Sequence, residues 1–364
     1  MDSFLPISIP RKKWRWLSLL FLSLLPLMAL FHLVMWFGFT QTLFRPETGD
    51  LKRIGYLVGT ENARARLQAN DPTTGFTILT GEKLATTPQV NAIVFGDSFS
   101  SSLARAYSIK KQEPVGLASV NWEQRNGLAQ IEGWLKDGWF REHGVKTIIL
   151  ERVEYAWLDT FANEGDASLN VSWSNALAGR MPPPYEPARQ WTFANNGNFK
   201  VLFANAAYLF SPTACNLTDT CMVRLTKPLF TGPHGDQLLF YRGDFKGALF
   251  LTDPPDPRLA PAMQHLRELA ELCQQQGMNL RLIVPPVKSY LYYDWVKKPF
   301  YPESKLLETL RYRAQSMGYV DLKGPFHQKL TEGYQDLYYP DDAHWNFPAA
   351  LMAAEELMKA EKKP

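Results

Sequence analysis

Three hydrophobic patterns succeed one another along this chain. From Leu17 to Phe39 almost every residue is apolar, and no charged side chain stands between Arg15 and Arg45. At ~1.5 Å per helical residue, such a run is long enough for a hydrocarbon core of about 30 Å, and it predicts one transmembrane helix over 16–39. Arg11, Lys12, Lys13 and Arg15 precede it, so the positive-inside rule leaves 1–15 in the cytoplasm and the rest of the chain outside. Trp14, Trp16, Trp36 and Phe37 fall where interfacial aromatics belong, and no small-x-small cleavage site of a removable leader follows.

Residues 40–88 are polar, with Gly, Pro and Thr clusters, and read as a stalk. From 89 to 364 strand-length apolar runs alternate with segments of helical period. Strands are predicted over 92–95, 114–120, 145–150, 280–284 and 319–322, and helices over 127–139, 261–276, 303–317 and 348–359. This alternation predicts an α/β domain on a parallel sheet with right-handed crossovers. The rhythm lapses from about 156 to 259, too long for a plain crossover, and that stretch reads as an insertion capping the sheet. It holds Trp157, Trp173, Trp191, a helical segment at 199–210 and a hairpin-like Leu-Leu-Phe-Tyr ending at Tyr241.

Candidate chemistry gathers at two places. The apolar run Ala92 to Phe95 ends on Gly96, Asp97 and Ser98, just where a helix begins. Ser98 would there face unpaired backbone N–H groups and the positive end of a helix dipole, which is half of an oxyanion hole. The competing reading is that Asp97, Ser98 and Ser100 only cap that helix. Near the other end, Asp341 and Asp342 stand three and two residues before His344, which is followed by Trp345, on a turn into the last helix. A nucleophilic Ser needs a base and a group to orient that base, and a His with a nearby carboxylate supplies both.

These two blocks resemble the first and last blocks of the SGNH (GDSL-type) esterase superfamily. The His-Trp pair and the segment from Ile149 to Glu154 are more similar to its polysaccharide O-acetyltransferase branch, the alginate-acetylation type. Block order here, Ser first, is that of ordinary SGNH esterases; in the alginate branch the Asp-His block comes before the Ser. The resemblance implies a three-layer, flavodoxin-like parallel sheet with Ser98 as nucleophile, His344 as base and Asp341 as its orienter. Asp342 is the alternate, since the alginate branch is similar in spacing its Asp two before the His. Ordinary members place an oxyanion-donating Asn at the end of the third block, where this chain has Glu151, and an ionised carboxylate would repel an oxyanion. The oxyanion candidates are then Gly96, Asp97, Asn121, Arg152 and Tyr155, with Lys288, Tyr290 and Trp345 as candidates for the substrate rim. The activity implied is O-acetyl transfer to a polysaccharide hydroxyl through an acyl-serine, with no cofactor, the donor arriving through a membrane-bound O-acyltransferase partner. A carbohydrate esterase and a non-catalytic polysaccharide-binding subunit are the alternatives.

Composition adds little against this picture. With 364 residues, 46% hydrophobic, and a net charge of +3, the chain has room for one large domain and no basic face for nucleic acid. Of the three cysteines, Cys215 and Cys221 lie close enough for a short-loop disulfide outside the cytoplasm, and Cys273 falls within a helical segment as a buried thiol. No Cys/His spacing suggests a metal site. The expected location is the inner (cytoplasmic) membrane, single-pass, with the large domain periplasmic.

Overall fold

Six parallel strands form the centre of the protein. The computed structural model describes residues 11–35, 51, 67, 71–87, 89–118, 120, 127–162, 220–232, 235–250 and 255–362. In chain order these give α1 (Arg11–Met35), β1 (Ile78–Leu79), α2 (Gly81–Thr86), β2 (Ala92–Phe95), α3 (Ser100–Lys111), β3 (Val115–Ala118), α4 (Gly127–Lys136) and α5 (Trp139–Glu142). There follow β4 (Thr147–Glu151), α6 (Glu154–Ala162), β5 (Thr220–Arg224), β6 (Gln237–Tyr241), α7 (Leu259–Gln275), β7 (Asn279–Ile283) and α8 (Lys288–Leu291). The chain closes with α9 (Leu306–Arg313), β8 (Tyr319–Val320), α10 (Lys323–Thr331) and α11 (Phe347–Glu361).

The sheet runs β1-β3-β2-β4-β7-β8, every pair parallel. From β2 the chain passes to β3 on one side and then returns to β4 on the other, so the strand order reverses at β2. In open α/β sheets the crevice beyond the carboxyl end of that strand is where ligands bind. Ser98 lies there.

Strand β2 explains why its apolar run is continuous rather than alternating. Ala92 and Val94 pack into one layer, with Leu103 of α3, Phe326 of α10 and Leu357 of α11. Ile93 and Phe95 point the other way, among Ile131 of α4, Trp157 of α6, Leu266 of α7 and Leu310 of α9. A strand covered on both faces cannot carry polar residues, and each large side chain so buried contributes about 1.5–3 kcal/mol.

The sheet begins earlier than the apolar rhythm suggests: β1 pairs with β3 inside the stretch read as a stalk, and two residues are too few to carry a period. Helix α10 was also unread, because its first turn contains Gly324 and Pro325, which mask a helical pattern. Helix α6, with Trp157 stacked on Phe161 at 4.9 Å, belongs to the regular layer, so that layer continues to Ala162. Of the insertion, β5 and β6 form an antiparallel pair whose Val223, Leu238 and Phe240 join the α3/α11 layer. Trp173, Trp191 and the segment 199–210 lie outside the described residues. So does Cys215; Cys221 is buried on β5, and Cys273 is a free, buried thiol on α7 that burial pushes up to about 12.

Residues 11–35 form α1, a continuous 25-residue helix that contains Pro26, on which Phe21, Leu22, Leu25 and Leu27 are exposed. Among the described residues no helix is long and apolar enough to cross a membrane; the side chains of Arg11 to Trp14, Leu17, His32 and Met35 lie outside that set.

Candidate active site

Ser98 is exposed on a turn between β2 and α3 that is tied down on every side except its own. The carbonyl of Asp97 accepts from the Ser100 N–H (3.1 Å) and the Ser100 hydroxyl (2.6 Å), which starts α3 two residues after Ser98. The Asp97 carboxylate accepts from the Phe99 N–H (3.2 Å), from the Val153 N–H (3.1 Å) and from Arg152 Nη1 (3.4 Å). The turn is therefore clamped to the end of β4, and Ser98 projects at the N-terminus of a 12-residue helix.

The second half of the site is the loop 337–346. Backbone bonds from Tyr339 N–H to His344 O (3.1 Å) and from Asn346 N–H to Leu337 O (3.1 Å) close it into a tight return. Asn346 then caps α11 by accepting from the Ala349 N–H at 3.1 Å, with Pro348 in the first turn. Five further bonds seat the loop. Trp345 Nε1 donates to Ser102 Oγ on α3 (2.6 Å), and Tyr338 donates to the Pro286 carbonyl (2.5 Å). Lys288, wholly buried at the start of α8, donates to the carbonyls of Tyr339 (2.7 Å), Pro340 (2.9 Å) and Asp342 (3.1 Å).

So held, His344 lies with Nε2 2.5 Å from Ser98 Oγ and Nδ1 2.5 Å from Asp342 Oδ1. Ser98 and His344 come from positions 246 residues apart. The carboxylate at the ring is that of Asp342, a correction to the expectation that Asp341 fills this place. The reason is local: Asp342 Oδ1 also accepts the His344 N–H (2.9 Å), a turn that a residue two before the His can make. Asp341, like Asp342, is fully buried beneath the loop. Phe99 covers the imidazole, its ring centroid 4.8 Å away.

The other expected site residues take different places. Trp345 is buried, edge-on to Phe99 at 5.2 Å, and so is a packing and anchoring residue rather than part of a substrate rim. Lys288 is likewise moved from rim to interior, because three carbonyl oxygens can replace the water around an ammonium only when the side chain is enclosed. Tyr290 is buried among Phe245 and Tyr301, not at an edge, and burial holds its phenol above the usual range. Gly96 serves sterics: a Cβ there would sit 2.4 Å from Glu151 Oε2. Arg152 is engaged with Thr160 (Nε to Oγ1, 2.9 Å) as well as with Asp97. Tyr155 is partly exposed at the first turn of α6; burial, then the charge of Asp97, pushes its phenol up to about 12, so it stays a hydroxyl donor at neutral pH. Asn121 lies outside the described residues.

Two buried acids complete the electrostatics. Glu151 is held well above the usual carboxyl range, first by burial and then by Asp97. Glu154, also fully buried, accepts the Val287 N–H (3.1 Å); burial pushes it up to about 7 against that bond and the charge of Lys323. The legible signal for Glu151 is an acidic residue immediately after the apolar run Ile148 to Leu150; Glu154, three residues further on at the start of α6, carries no such signal. Among the described residues no group of three His, Cys, Asp or Glu is placed to hold a metal ion.

Ser98, His344 and Asp342 form one hydrogen-bonded constellation at the switch point of a parallel sheet, an arrangement of the kind that serine-nucleophile α/β proteins use. Residues 235–364 match the family model described as an SGNH hydrolase-like domain, acetyltransferase AlgX. The matched segment contains Asp342 and His344, whereas Ser98 precedes it. No curated protein and no solved structure matches.

Proposed function

We propose that the protein is a membrane-anchored O-acetyltransferase that modifies a polysaccharide through an acetyl-Ser98 intermediate. The observation that carries this reading is the 2.5 Å approach of His344 Nε2 to Ser98 Oγ, with Asp342 at Nδ1. His344 takes the Ser98 proton as Oγ attacks the acetyl carbonyl, and returns it to the departing donor oxygen as that bond breaks. The acceptor hydroxyl then gives its proton to His344, attacks the acetyl carbon and restores Ser98. The N-terminus of α3 supplies the positive potential for both tetrahedral intermediates.

The membrane tether is part of the same reading. Helix α1 presents Trp16, Phe21, Leu22 and Leu25 to its surroundings, and Arg11 to Arg15 precede its apolar part. An anchored domain outside the cytoplasm is cut off from acyl-CoA, so its acetyl donor would come from a membrane-bound O-acyltransferase partner. In that compartment Cys215 and Cys221 pair. Alkylation of denatured, unreduced protein should then label Cys273 alone; labelling at all three cysteines would place the domain in the cytoplasm.

The decisive experiment supplies the full chain with an activated acetyl ester, with and without acetyl-free oligosaccharides. Slow hydrolysis is expected alone, with acetyl groups diverted from water to sugar when acceptor is present. Ser98→Ala should lower both by on the order of a thousandfold or more. Acetylation that persists in Ser98→Ala would end the enzyme reading, and fast hydrolysis indifferent to acceptor would make the protein an esterase.

A further inference from the structure

Glu151 ends β4 directly under the nucleophile turn. The ladder pairs Leu150 with Phe95, so the next residue of β4 comes up beneath Gly96. Its side chain is fully buried; Oε2 accepts the Asp97 N–H at 2.9 Å, while Oε1 has no hydrogen-bond partner among the described residues. A Cβ on residue 96 would lie 2.4 Å from Oε2 and 2.8 Å from the Glu151 Cβ, so a glycine is what admits the carboxyl group at this spot.

We propose that Glu151 is a positioning residue for the nucleophile, a strut from the end of β4 that fixes the Asp97 backbone and keeps the turn beneath Ser98 at a single negative charge. The inference rests on the reading of Ser98 as nucleophile. Two adjacent enclosed carboxyl groups do not both ionise, and the better-solvated one keeps the charge. Asp97 has three donors, the N–H groups of Phe99 and Val153 and the Arg152 guanidinium, whereas Glu151 has one. The proton therefore stays on Glu151. The groups facing it are Asp97 from the β2–α3 turn, Arg152 from its own strand end and the phenol of Tyr338 from loop 337–346, and on β7 its ladder partner is the apolar Ile283. Burial and Asp97 push Glu151 up; the Asp97 N–H and Arg152 oppose them less.

A neutral Glu151 leaves the forming oxyanion at Ser98 beside one carboxylate rather than two. The sign follows: the functional form of Glu151 is the protonated one, so this group imposes no loss at neutral pH and lowers turnover as pH rises through the raised value, independently of the requirement that His344 be neutral to act as base. Thermal stability falls in the same direction, since the unfolded chain ionises this carboxyl at lower pH.

The test compares wild type, Glu151→Gln and Glu151→Ala in the full chain, measuring kcat for an activated acetyl ester across the pH range. Gln keeps an oxygen for the Asp97 N–H and carries no charge at any pH. It is expected to hold kcat at neutral pH within about threefold and to lose the alkaline fall, while Ala, lacking the strut, loses about tenfold or more at every pH. In parallel, the infrared difference spectrum of Ser98→Ala minus Ser98→Ala/Glu151→Gln at neutral pH should show the C=O stretch of one protonated carboxylic acid, any band from Glu154 cancelling because both variants keep that residue. This readout needs no turnover. Ser98-dependent activity whose alkaline fall survives Glu151→Gln, or the lack of that infrared difference, overturns the role of Glu151. Turnover indifferent to Ser98→Ala overturns instead the enzyme reading on which it rests.

Discussion

Asp342→Asn is expected to lower kcat for Ser98-dependent acetyl turnover by roughly a thousandfold to ten-thousandfold, with the fold intact. Asp342 Oδ1 accepts from both the His344 N–H and Nδ1, so it fixes the ring and selects the tautomer whose Nε2 can accept the Ser98 proton. An amide at 342 can turn its NH2 toward Nδ1, which leaves the proton on Nε2 and removes the base without disturbing the packing. Asp341→Asn, although equally buried, is expected to keep kcat within about tenfold and to register mainly in thermal stability. Kinetics of the two single variants on an activated ester, at matched fraction folded, decide the matter. If Asp341→Asn were the crippled variant, the orienting role would return to that residue.

Lys288→Met should cost both activity and stability. Its ammonium is the shared donor for three carbonyl oxygens in the loop that carries Asp342 and His344, and methionine fills the volume without donating. Each buried carbonyl left without a partner costs about 1–3 kcal/mol, and the loop relieves that cost by opening toward water. A displacement of about 1 Å at the imidazole can lower the rate on the order of a hundredfold. The expected result is a fall in kcat of that order with a Tm lower by several degrees, at about 2–4 °C per kcal/mol for a domain of this size. A residue on the substrate rim would behave differently: Lys288→Met would raise KM for the sugar acceptor and leave kcat and Tm alone. That pattern would return Lys288 to the rim.

The two predictions also mark where sequence reading stopped. Asp341 and Asp342 are adjacent acids, and nothing in their order says which reaches Nδ1; the turn that lets Oδ1 meet both nitrogens of residue 344 makes the choice. Lys288 follows a strand-length apolar run and two prolines, which in sequence resembles an exposed loop. Only the closeness of loop 337–346 encloses it. Trp345 beside His344 reads as a substrate-rim residue, but its N–H is spent on Ser102 and its edge on Phe99. Glu151 read as a problem, a carboxylate where a donor is needed; burial beside Asp97 turns it into a neutral acid.

The sequence by itself determined the parallel α/β layers, the placing of Ser98 and His344 at strand and helix ends, and the apolar helix of the N-terminal region. Those features are local: a doubly covered strand must be apolar throughout, and a turn into a helix N-terminus needs Gly96 and small polar residues whatever lies around them. The tertiary structure alone decided which acid orients His344, which lysine seats its loop, and which carboxyl group keeps its proton. Each of those depends on distances between strand ends far apart in the chain, and on the loss of water between them, and neither quantity is written in residue order.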